Sequence, residues 1–216
     1  MKAMILAAGR GTRLAPLTDQ TPKPMLPIRG RPLIEWQIAQ LKDAGVDEFV
    51  INTHHLGEQI IDALGDGNRL GVQIEYSLEE DLLDTGGGIK KALPLLGDDP
   101  FIVLNGDIWT DFAFSSLPQA PPEGCPAHIV LTPTPSWRET GDFSSDGQQV
   151  TARGSDYVFC GIAVATPELV ANQSETAFSL REVYFDLIEA GQLSAQIFQG
   201  IWLDIGTLEQ YESVRT

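Results

Sequence analysis

A glycine-rich stretch near the N-terminus carries residues suited to binding phosphate. Gly9, Gly11 and Arg13 follow a short apolar run, and Lys23 comes soon afterwards. Glycine lets backbone amides approach phosphate oxygens closely, because a β-carbon would collide with them. Arginine adds a fork of donors and lysine a point charge. We therefore expect these residues to bind a triphosphate.

The spacing of this stretch excludes two familiar phosphate loops. Leu14 stands where a dinucleotide-binding fingerprint has its third Gly or Ala, and no Gly-Lys-Ser/Thr of a P-loop occurs. The second apolar run ends in Asn52 and Thr53 instead of the acidic residue that binds an NAD ribose. The missing third glycine and the missing acidic residue both argue against an NAD-binding oxidoreductase domain.

Two aspartates lie at the ends of short apolar runs. Asp107 closes the run Phe-Ile-Val-Leu-Asn-Gly-Asp, and Asp204 lies in Trp-Leu-Asp-Ile-Gly-Thr. Ligands of open α/β sheets bind beyond the carboxyl ends of strands, and carboxylates together with a triphosphate suit Mg²⁺. The alternative is that each aspartate only begins a turn or a helix, as aspartate often does.

The elements that must position these residues follow an α/β pattern. Short apolar runs alternate with longer amphipathic stretches, which predicts βαβ units and a mainly parallel sheet. The predicted strands cover residues 3–8, 48–53, 72–77, 101–105, 127–132 and 157–165, and the predicted helices cover 32–44, 56–64, 87–96, 180–190 and 208–214. The Pro-rich stretch 117–126 is interpreted as a surface loop. We expect one folding unit over residues 1–216.

Charge limits the possible partners. A net charge of −16 and a pI near 4.4 make nucleic acid and anionic membrane poor ligands. Residues 1–31 are an exception, because they hold six basic residues and one acidic residue, a net charge of +5. We expect an anionic ligand at this stretch.

Cysteines and hydropathy indicate a soluble, cytoplasmic protein. Cys125 and Cys160 could form one disulfide at most, and we expect both to be reduced, with Cys160 in a buried strand. No apolar run approaches the ~20 residues that a membrane-spanning helix needs. His54 and His55 are predicted to be packing or loop residues, since no further ligand completes a metal site.

The run from Leu6 to Pro27 resembles the signature of the sugar-1-phosphate nucleotidyltransferases. That signature is Leu-Ala-Ala-Gly-x-Gly-Thr-Arg-Leu-x-Pro-Leu-Thr followed by Lys-Pro-Met-Leu-Pro, and the chain matches every fixed position. The resemblance implies a Rossmann-like, three-layer α/β fold with a mixed, mostly parallel central sheet. Residues 1–111 would form a nucleotide-binding half and residues 112–216 a sugar-phosphate-binding half.

The resemblance also implies roles for individual residues. The triphosphate would be bound by Ala8, Gly9, Gly11, Thr12, Arg13 and Lys23. Asp107 and Asp204 would hold Mg²⁺, and Arg13, Lys23 and Asp107 would carry the catalysis. The stretch from Leu83 to Gly88 resembles the family's Leu-Gly-Thr-Ala-Gly loop, so Thr85 and Gly86 would contact the nucleotide. Three consecutive glycines are expected to leave this loop open to a ligand, the alternative being a glycine-rich helix start.

The sugar side departs from many relatives. Their Glu-Lys-Pro segment, whose lysine meets the sugar phosphate, is absent, since no lysine follows Lys91. Asp142 lies in the corresponding region and is expected, with Asn105, to bind the substrate. Arg138 or Arg153 would replace the missing charge.

The implied reaction joins a sugar 1-phosphate to a nucleoside triphosphate and releases pyrophosphate. The short chain and the missing Glu-Lys-Pro resemble the N-acetylmuramate α-1-phosphate uridylyltransferases of peptidoglycan recycling, which favours UTP. The alternatives are glucose or mannose 1-phosphate with another nucleotide, phosphocholine with CTP, or a non-catalytic sugar-nucleotide sensor. A monomer is the default expectation.

Overall fold

The computed structural model describes residues 1–216, with six α-helices and thirteen strands. The helices are α1 (Leu33–Asp43), α2 (Gly57–Leu64), α3 (Asp84–Leu96), α4 (Glu168–Ala171), α5 (Leu180–Glu189) and α6 (Leu208–Val214). The strands are β1 (Ala3–Leu6), β2 (Pro27–Ile28), β3 (Arg31–Pro32), β4 (Glu48–Thr53), β5 (Gln73–Leu78), β6 (Phe101–Asn105), β7 (Ile108–Thr110), β8 (Ala127–Pro133), β9 (Phe143–Ser145), β10 (Val150–Arg153), β11 (Tyr157–Ala165), β12 (Leu193–Ile197) and β13 (Trp202–Asp204).

Nine strands form one mixed sheet in the order β10-β9-β11-β6-β1-β4-β5, with β8 beside β11 and β12 beside β8. The neighbours β6, β1, β4 and β5 are parallel. Strand β11 is antiparallel to both β6 and β8, so β8 and β12 run in the direction of β1. Only β11 and β10 run the other way, and the expected mostly parallel sheet is confirmed.

Both faces of the sheet are covered, which explains the continuous apolar runs of its central strands. Neighbouring residues of β1 point to opposite faces: Ala3 and Ile5 pack in the core with α1 and α2, while Met4 packs in the core with α3 and α5. All three are fully buried. The arrangement is the expected three layers.

A third, smaller apolar cluster joins the N-terminal stretch to the last helix. It consists of Leu14, Leu26, Ile28, Leu33, Ile205 and Tyr211. The Tyr211 hydroxyl donates to the Pro27 carbonyl at 3.0 Å, and the Arg29 amide donates to the Arg215 carbonyl at 2.9 Å. This cluster therefore brings the segment after β13 against the residues that follow Gly11.

Several smaller expectations can be compared with the structure. Strands 48–53, 101–105 and 157–165 and helix 208–214 have the predicted bounds. Helix α3 begins three residues before the predicted start, and β12, β9 and β10 were not predicted. Cys125 and Cys160 are both free, as expected, and Cys160 is fully buried in β11. None of the helices has the length and apolar character needed to span a bilayer; the cytoplasmic location stays a prediction.

Candidate active site

The carboxyl ends of β1, β4 and β6 meet at one edge of the sheet, where a cavity of about 620 Å³ opens. Parallel strands place their following loops at this edge, where α/β proteins bind ligands. Seven of the predicted site residues line the cavity: Ala8, Gly9, Gly11, Lys23, Thr85, Asn105 and Asp107. The structure therefore brings together residues that lie far apart in the sequence.

The two glycines of the N-terminal loop have different reasons to be glycine. Gly11 has a φ of +62°, and a β-carbon there would lie 2.9 Å from Cγ2 of Thr18. The Thr18 hydroxyl also donates to the Gly11 carbonyl at 2.9 Å. A β-carbon at Gly9 would instead meet no protein atom within 4 Å. Protein packing explains Gly11 but not Gly9, whose contact with phosphate stays a prediction.

A buried hydrogen-bond chain, not predicted from the sequence, joins this loop to the start of α3. The Ala7 amide donates to Oδ1 of Asn52 at 2.8 Å, and Nδ2 of Asn52 donates to Oε1 of Glu79 at 2.7 Å. The other Glu79 oxygen accepts from the Leu83 amide at 3.1 Å. Asn52 is 2% exposed and Glu79 is 6% exposed. Asn52 thus sets the distance between the two loops that border the cavity.

Strand pairing brings the two predicted metal ligands to the same place. In the β7–β13 pair Asp204 lies opposite Ile108, and the Ile205 amide donates to the Asp107 carbonyl at 2.9 Å. Burial raises the pKa of Asp204, and the negative charge of Asp107 raises it further. Arg138, Lys23 and Arg13 act in the opposite direction. The charges of Asp107 and of three basic side chains therefore all act on Asp204.

Two basic side chains of the N-terminal signature contact this group. Nζ of Lys23 lies 2.6 Å from Oδ2 of Asp107, and the Lys23 side chain is only 12% exposed. The guanidinium of Arg13 lies against Gly206, where a β-carbon would be 2.9 Å from Nη2. Gly206 leaves room for Arg13 beside Asp204, so the predicted pairing of signature and aspartates has a geometric basis.

The side chain of Gln37, in α1, holds the turn that carries Asp107 through two hydrogen bonds. Nε2 of Gln37 donates to the carbonyls of Asn105 and Ile108 at 3.0 Å and 2.9 Å. Gln37 is 2% exposed. This role was not predicted from the sequence, where the available signal was a polar residue on the inner face of a helix.

The basic residues of stretch 1–31 do not form one surface. Lys2 lies at the opposite end of β1 and pairs with Glu48 and Glu75 at 3.5 and 3.8 Å. Arg31 pairs with Glu35 at 3.3 Å. Extended β1 separates Lys2 from the loop, so the basic residues of this stretch are divided between different places, and only Lys23 and Arg13 among them act on Asp204. The anionic ligand expected at this stretch stays a prediction.

The expectation that the glycines of the second loop lie open to a ligand is also wrong. Gly86 and Gly87 are buried against the segment 176–178, and both amides donate to the Phe178 carbonyl, at 3.0 and 3.2 Å. A β-carbon at Gly88 would lie 2.7 Å from Nδ2 of Asn52. These glycines allow close packing of α3, which agrees with the alternative of a glycine-rich helix start. The nucleotide contact of Gly86 stays a prediction.

A second cavity of about 190 Å³ adjoins the first. Both are lined by Asp84, Thr85 and Asn105, so the two are continuous. The Thr85 hydroxyl accepts from the Leu180 amide at 2.8 Å, which fixes α5 beside the junction.

Asp142 lines this second cavity, as its predicted substrate role requires. Its carboxylate accepts from Arg138 at 3.4 Å and from the Phe159 amide at 3.2 Å. The guanidinium of Arg153 lies over the Phe185 ring at 3.7 Å and does not line the cavity. Of the two arginines considered, Arg138 lies at the site and Arg153 lies outside it. Arg181 also lines the cavity and was not predicted.

The two adjacent histidines contact backbone carbonyls, in agreement with the packing or loop role predicted for them. Nδ1 of His54 is 3.0 Å from the Glu79 carbonyl, and Nε2 of His55 is 3.0 Å from the Thr18 carbonyl. Nε1 of Trp202 donates to the Cys160 carbonyl at 2.8 Å. No group of three or more His, Cys, Asp or Glu side chains is placed to hold a metal ion, so a divalent ion would have two carboxylate ligands here, as the sequence predicts.

Known proteins resemble this chain along its length. The model of the nucleotidyl transferase family matches residues 2–142. N-acetylmuramate α-1-phosphate uridylyltransferase of Neisseria meningitidis serogroup B is 45% identical, over 96% of this chain and 94% of the relative. UTP–glucose-1-phosphate uridylyltransferase of a Synechocystis strain is 32% identical, over 98% of this chain and 61% of the relative. Among solved structures, HddC of Yersinia pseudotuberculosis superposes with a TM-score of 0.81, at 25% identity, over 99% of this chain and 97% of that one.

The matches agree with the geometry of the site. The family match spans β1 to Asp142 and thus both the signature loop and Asp107. The relatives extend the similarity over the segment that contributes Asp204. The chain belongs to the nucleotidyl transferase family, among its sugar-1-phosphate nucleotidyltransferases.

Proposed function

We propose that this enzyme transfers the uridylyl group of UTP to N-acetylmuramate α-1-phosphate in peptidoglycan recycling, in the cytoplasm and with Mg²⁺. The observation that carries the reaction is the grouping of Asp107 and Lys23, which line the large cavity, with Asp204 and Arg13, whose charges interact with theirs. The sugar and the base are supported by the 45% identity with the Neisseria relative over nearly the whole of both chains.

The donor set suits a hard divalent cation. Asp107 and Asp204 would hold Mg²⁺, which supplies charge neutralisation on phosphate oxygens when bound. The raised pKa of Asp204 supports this assignment, because burial and the neighbouring Asp107 both make an isolated second negative charge unfavourable there. A bound divalent cation would remove that conflict.

The chain's own residues account for the remaining requirements of the transfer. An oxygen of the sugar phosphate forms a bond to the α-phosphorus, the bond from that phosphorus to the bridging oxygen breaks, and its electron pair leaves with pyrophosphate. A phosphate monoester is already anionic at neutral pH, so no general base is needed. Catalysis rests on position and on charge neutralisation.

Each cation has a position suited to one part of the reaction. Gly9 lets phosphate oxygens approach the backbone, and Arg13 and Lys23 stabilise negative charge on the departing pyrophosphate. Arg138, held by Asp142, takes the place of the family's lysine at the sugar phosphate. Thr85 and Asn105 lie where the two cavities join, and so contact the substrates near the reacting groups.

A specific observation favours one other substrate. The Synechocystis relative, named for UTP and glucose 1-phosphate, is 32% identical, although this chain spans only 61% of its length. Glucose 1-phosphate with UTP is therefore the second candidate, with the same catalytic residues.

The test is pyrophosphate release by the purified protein with each pairing of four sugar 1-phosphates (N-acetylmuramate, N-acetylglucosamine, glucose and mannose) and the five common nucleoside triphosphates. We expect the highest kcat/KM with N-acetylmuramate α-1-phosphate and UTP, and loss of turnover when EDTA is present. A preference for glucose 1-phosphate would refute the sugar assignment. Absence of turnover with every pair would refute the activity.

The matched variants are Asp107→Asn and Asp99→Asn, which remove one charge at opposite ends of β6. Asp99 is exposed and precedes the strand, whereas Asp107 follows it at the site. We expect Asp107→Asn to lower kcat by at least about 100-fold, as removal of charge-stabilising groups commonly does, and Asp99→Asn to leave it unchanged. Equal rates in the two variants would contradict the role of Asp107.

A further inference from the structure

The second cavity contains two polar groups that the transfer of the uridylyl group does not use. It lies between β11 and the start of α5 and is lined by Asn105, Asp142, Phe159, Arg181 and Tyr184, among others. Asp142 is already bonded to Arg138 and to the Phe159 amide. Arg181 and Tyr184 have no such partners.

Arg181 is an unpaired cation in a strongly acidic protein. The chain has 30 acidic residues against 14 Lys and Arg, yet Arg181 takes part in none of the seven ion pairs. Its guanidinium lies 5.2 Å from the centre of the Phe185 ring and makes no hydrogen bond to another side chain. Arg181 is in the first turn of the ten-residue helix α5, whose positive end adds to its field. Asp84 and Asp142 also line the cavity, but Asp142 is paired with Arg138, so Arg181 is the unpaired positive charge on the cavity wall.

Tyr184 supplies a second and independent indication. Tyr184 lines the same cavity, is 1% exposed, and its hydroxyl is buried without a hydrogen-bond partner. Buried tyrosine hydroxyls nearly always have a partner, since an unmet one costs free energy. The hydroxyl has no surface accessible to a water-sized probe, so a hydrogen-bond acceptor in the cavity would meet that need only after the Tyr184 side chain shifts toward it.

Arg181 and Tyr184 lie apart from the basic residues that are assigned to the phosphate groups. Arg138, Lys23 and Arg13 all act on Asp204, so they belong to the phosphate end of the site. Arg181 and Tyr184 line the second cavity, whereas Arg138, Lys23 and Arg13 do not. The second cavity therefore has a positive charge of its own for a second anionic group that is carried by the same sugar.

We propose that the second cavity binds a carboxylate on the sugar, with Arg181 as the residue that determines specificity and the Tyr184 hydroxyl as a hydrogen-bond donor. This inference rests on the proposed function, in which the sugar is N-acetylmuramate, whose lactyl ether bears a carboxylate. Arginine is suited to this task because its planar fork pairs with both oxygens of a carboxylate. N-acetylglucosamine is the same sugar without the lactyl group and gives the matched neutral substrate.

The main test compares Arg181→Gln with Arg153→Gln. Both arginines lie against the Phe185 ring, but only Arg181 lines the cavity, so the two variants lose the same charge in the same region. We expect Arg181→Gln to lower kcat/KM for N-acetylmuramate 1-phosphate by about 10- to 100-fold, mainly through KM, as loss of a hydrogen bond to a charged group does. The rate with N-acetylglucosamine 1-phosphate and all rates of Arg153→Gln should stay as in the wild type. Equal effects on both sugars, or none on either, would overturn the proposal.

Tyr184→Phe separates a ligand contact from a structural role. The substitution deletes only a buried hydroxyl without a partner, so the melting temperature should stay the same or rise while KM for the acidic sugar rises. A fall in melting temperature with unchanged KM would assign the hydroxyl a structural role and contradict the proposal.

A binding experiment keeps this inference distinct from the proposed substrate. Saturation-transfer NMR measures binding of free N-acetylmuramate and free glucuronate to the UTP-loaded protein, without any turnover. If the wild type turns over a glucuronate phosphate instead and Arg181→Gln loses both binding and turnover, the carboxylate subsite stands although the proposed substrate fails. If neither acid binds more tightly to the wild type than to Arg181→Gln, the subsite is refuted, whichever sugar phosphate is turned over.

Discussion

The bond from Asn52 to Glu79 is the most informative place to perturb the site. Asn52→Leu keeps the branched shape of the side chain but removes two buried hydrogen bonds, one from the Ala7 amide and one to the Glu79 carboxylate. The Ala7 amide and one Glu79 oxygen are left without partners in a region that is at most 6% exposed. The variant therefore tests whether this chain holds the two loops together.

The size of the effect follows from the two bonds. A neutral hydrogen bond contributes about 1 kcal/mol, and one to a charged group about 1.5–3 kcal/mol. We expect Asn52→Leu to lower the free energy of unfolding by about 2.5–4 kcal/mol. For a chain of this size that is a fall of about 5 to 15 °C in melting temperature. The KM for the nucleotide should rise as well, because the loop after β1 loses its anchor.

The assay is urea unfolding of four proteins: wild type, Asn52→Leu, Glu79→Met and the double variant. Because the two side chains are in contact, the cycle should give a coupling free energy of at least about 1 kcal/mol. Asn172→Leu is the control, since Asn172 is exposed and its side chain makes no hydrogen bond. A loss below about 1 kcal/mol for Asn52→Leu, or a coupling near zero, would show that Asn52 does not support the site in the way the structure indicates.

Three further substitutions probe the site and the core. Gly9→Ala should leave the melting temperature unchanged, since a β-carbon there meets no protein atom, while KM for UTP rises; lower stability with normal KM would contradict the role of Gly9 in ligand approach. Asp204→Asn should abolish most turnover yet raise the melting temperature in EDTA at neutral pH. The raised pKa of Asp204 means that the folded protein disfavours its ionised form, and a lower melting temperature would refute this reasoning. Burial lowers the pKa of His128 below its ordinary value of 6.5, so the unfolded chain takes up this proton first as the pH falls. The free energy of unfolding should therefore decrease below a pH of about 6.5, and less steeply in His128→Asn; urea midpoints with identical pH dependence in both proteins would rule this out.

Some parts of the fold could be predicted because one local pattern decided them. Strands 101–105 and 157–165 are continuous apolar runs, as burial of both sheet faces demands, and their bounds were predicted correctly. Strand β12 has the sequence Leu-Ser-Ala-Gln-Ile, and it forms only because β8 offers a partner edge. Such pairing depends on distant segments, which local periodicity does not report.

The site residues divide in the same way, into those that a local motif predicts and those whose role depends on distant segments of the chain. The long N-terminal signature predicts Gly9, Arg13 and Lys23 as site residues, because a motif of this length and fixed spacing rarely arises by chance. The role of Asn52 depends on Glu79, and the role proposed for Arg181 depends on a cavity between β11 and the start of α5. In the sequence, Asn52 is one polar residue at the end of a predicted strand, and Arg181 is one charged residue near the start of a predicted helix.

The small apolar cluster around Leu14, Ile205 and Tyr211 makes Asp204, one of the two proposed metal ligands, separable from the rest of the fold. Asp204 belongs to a two-stranded ladder of its own, and the segment after it is held to the N-terminal stretch by this cluster and two hydrogen bonds. A small apolar cluster opens at a lower free energy than the large cores on either side of the main sheet. Residues 205–215 should therefore exchange their amide hydrogens before the sheet does, and activity should disappear in urea before the circular dichroism changes. A compound that binds between β13 and β7 and separates the two strands would inhibit the enzyme without entering either of the two cavities.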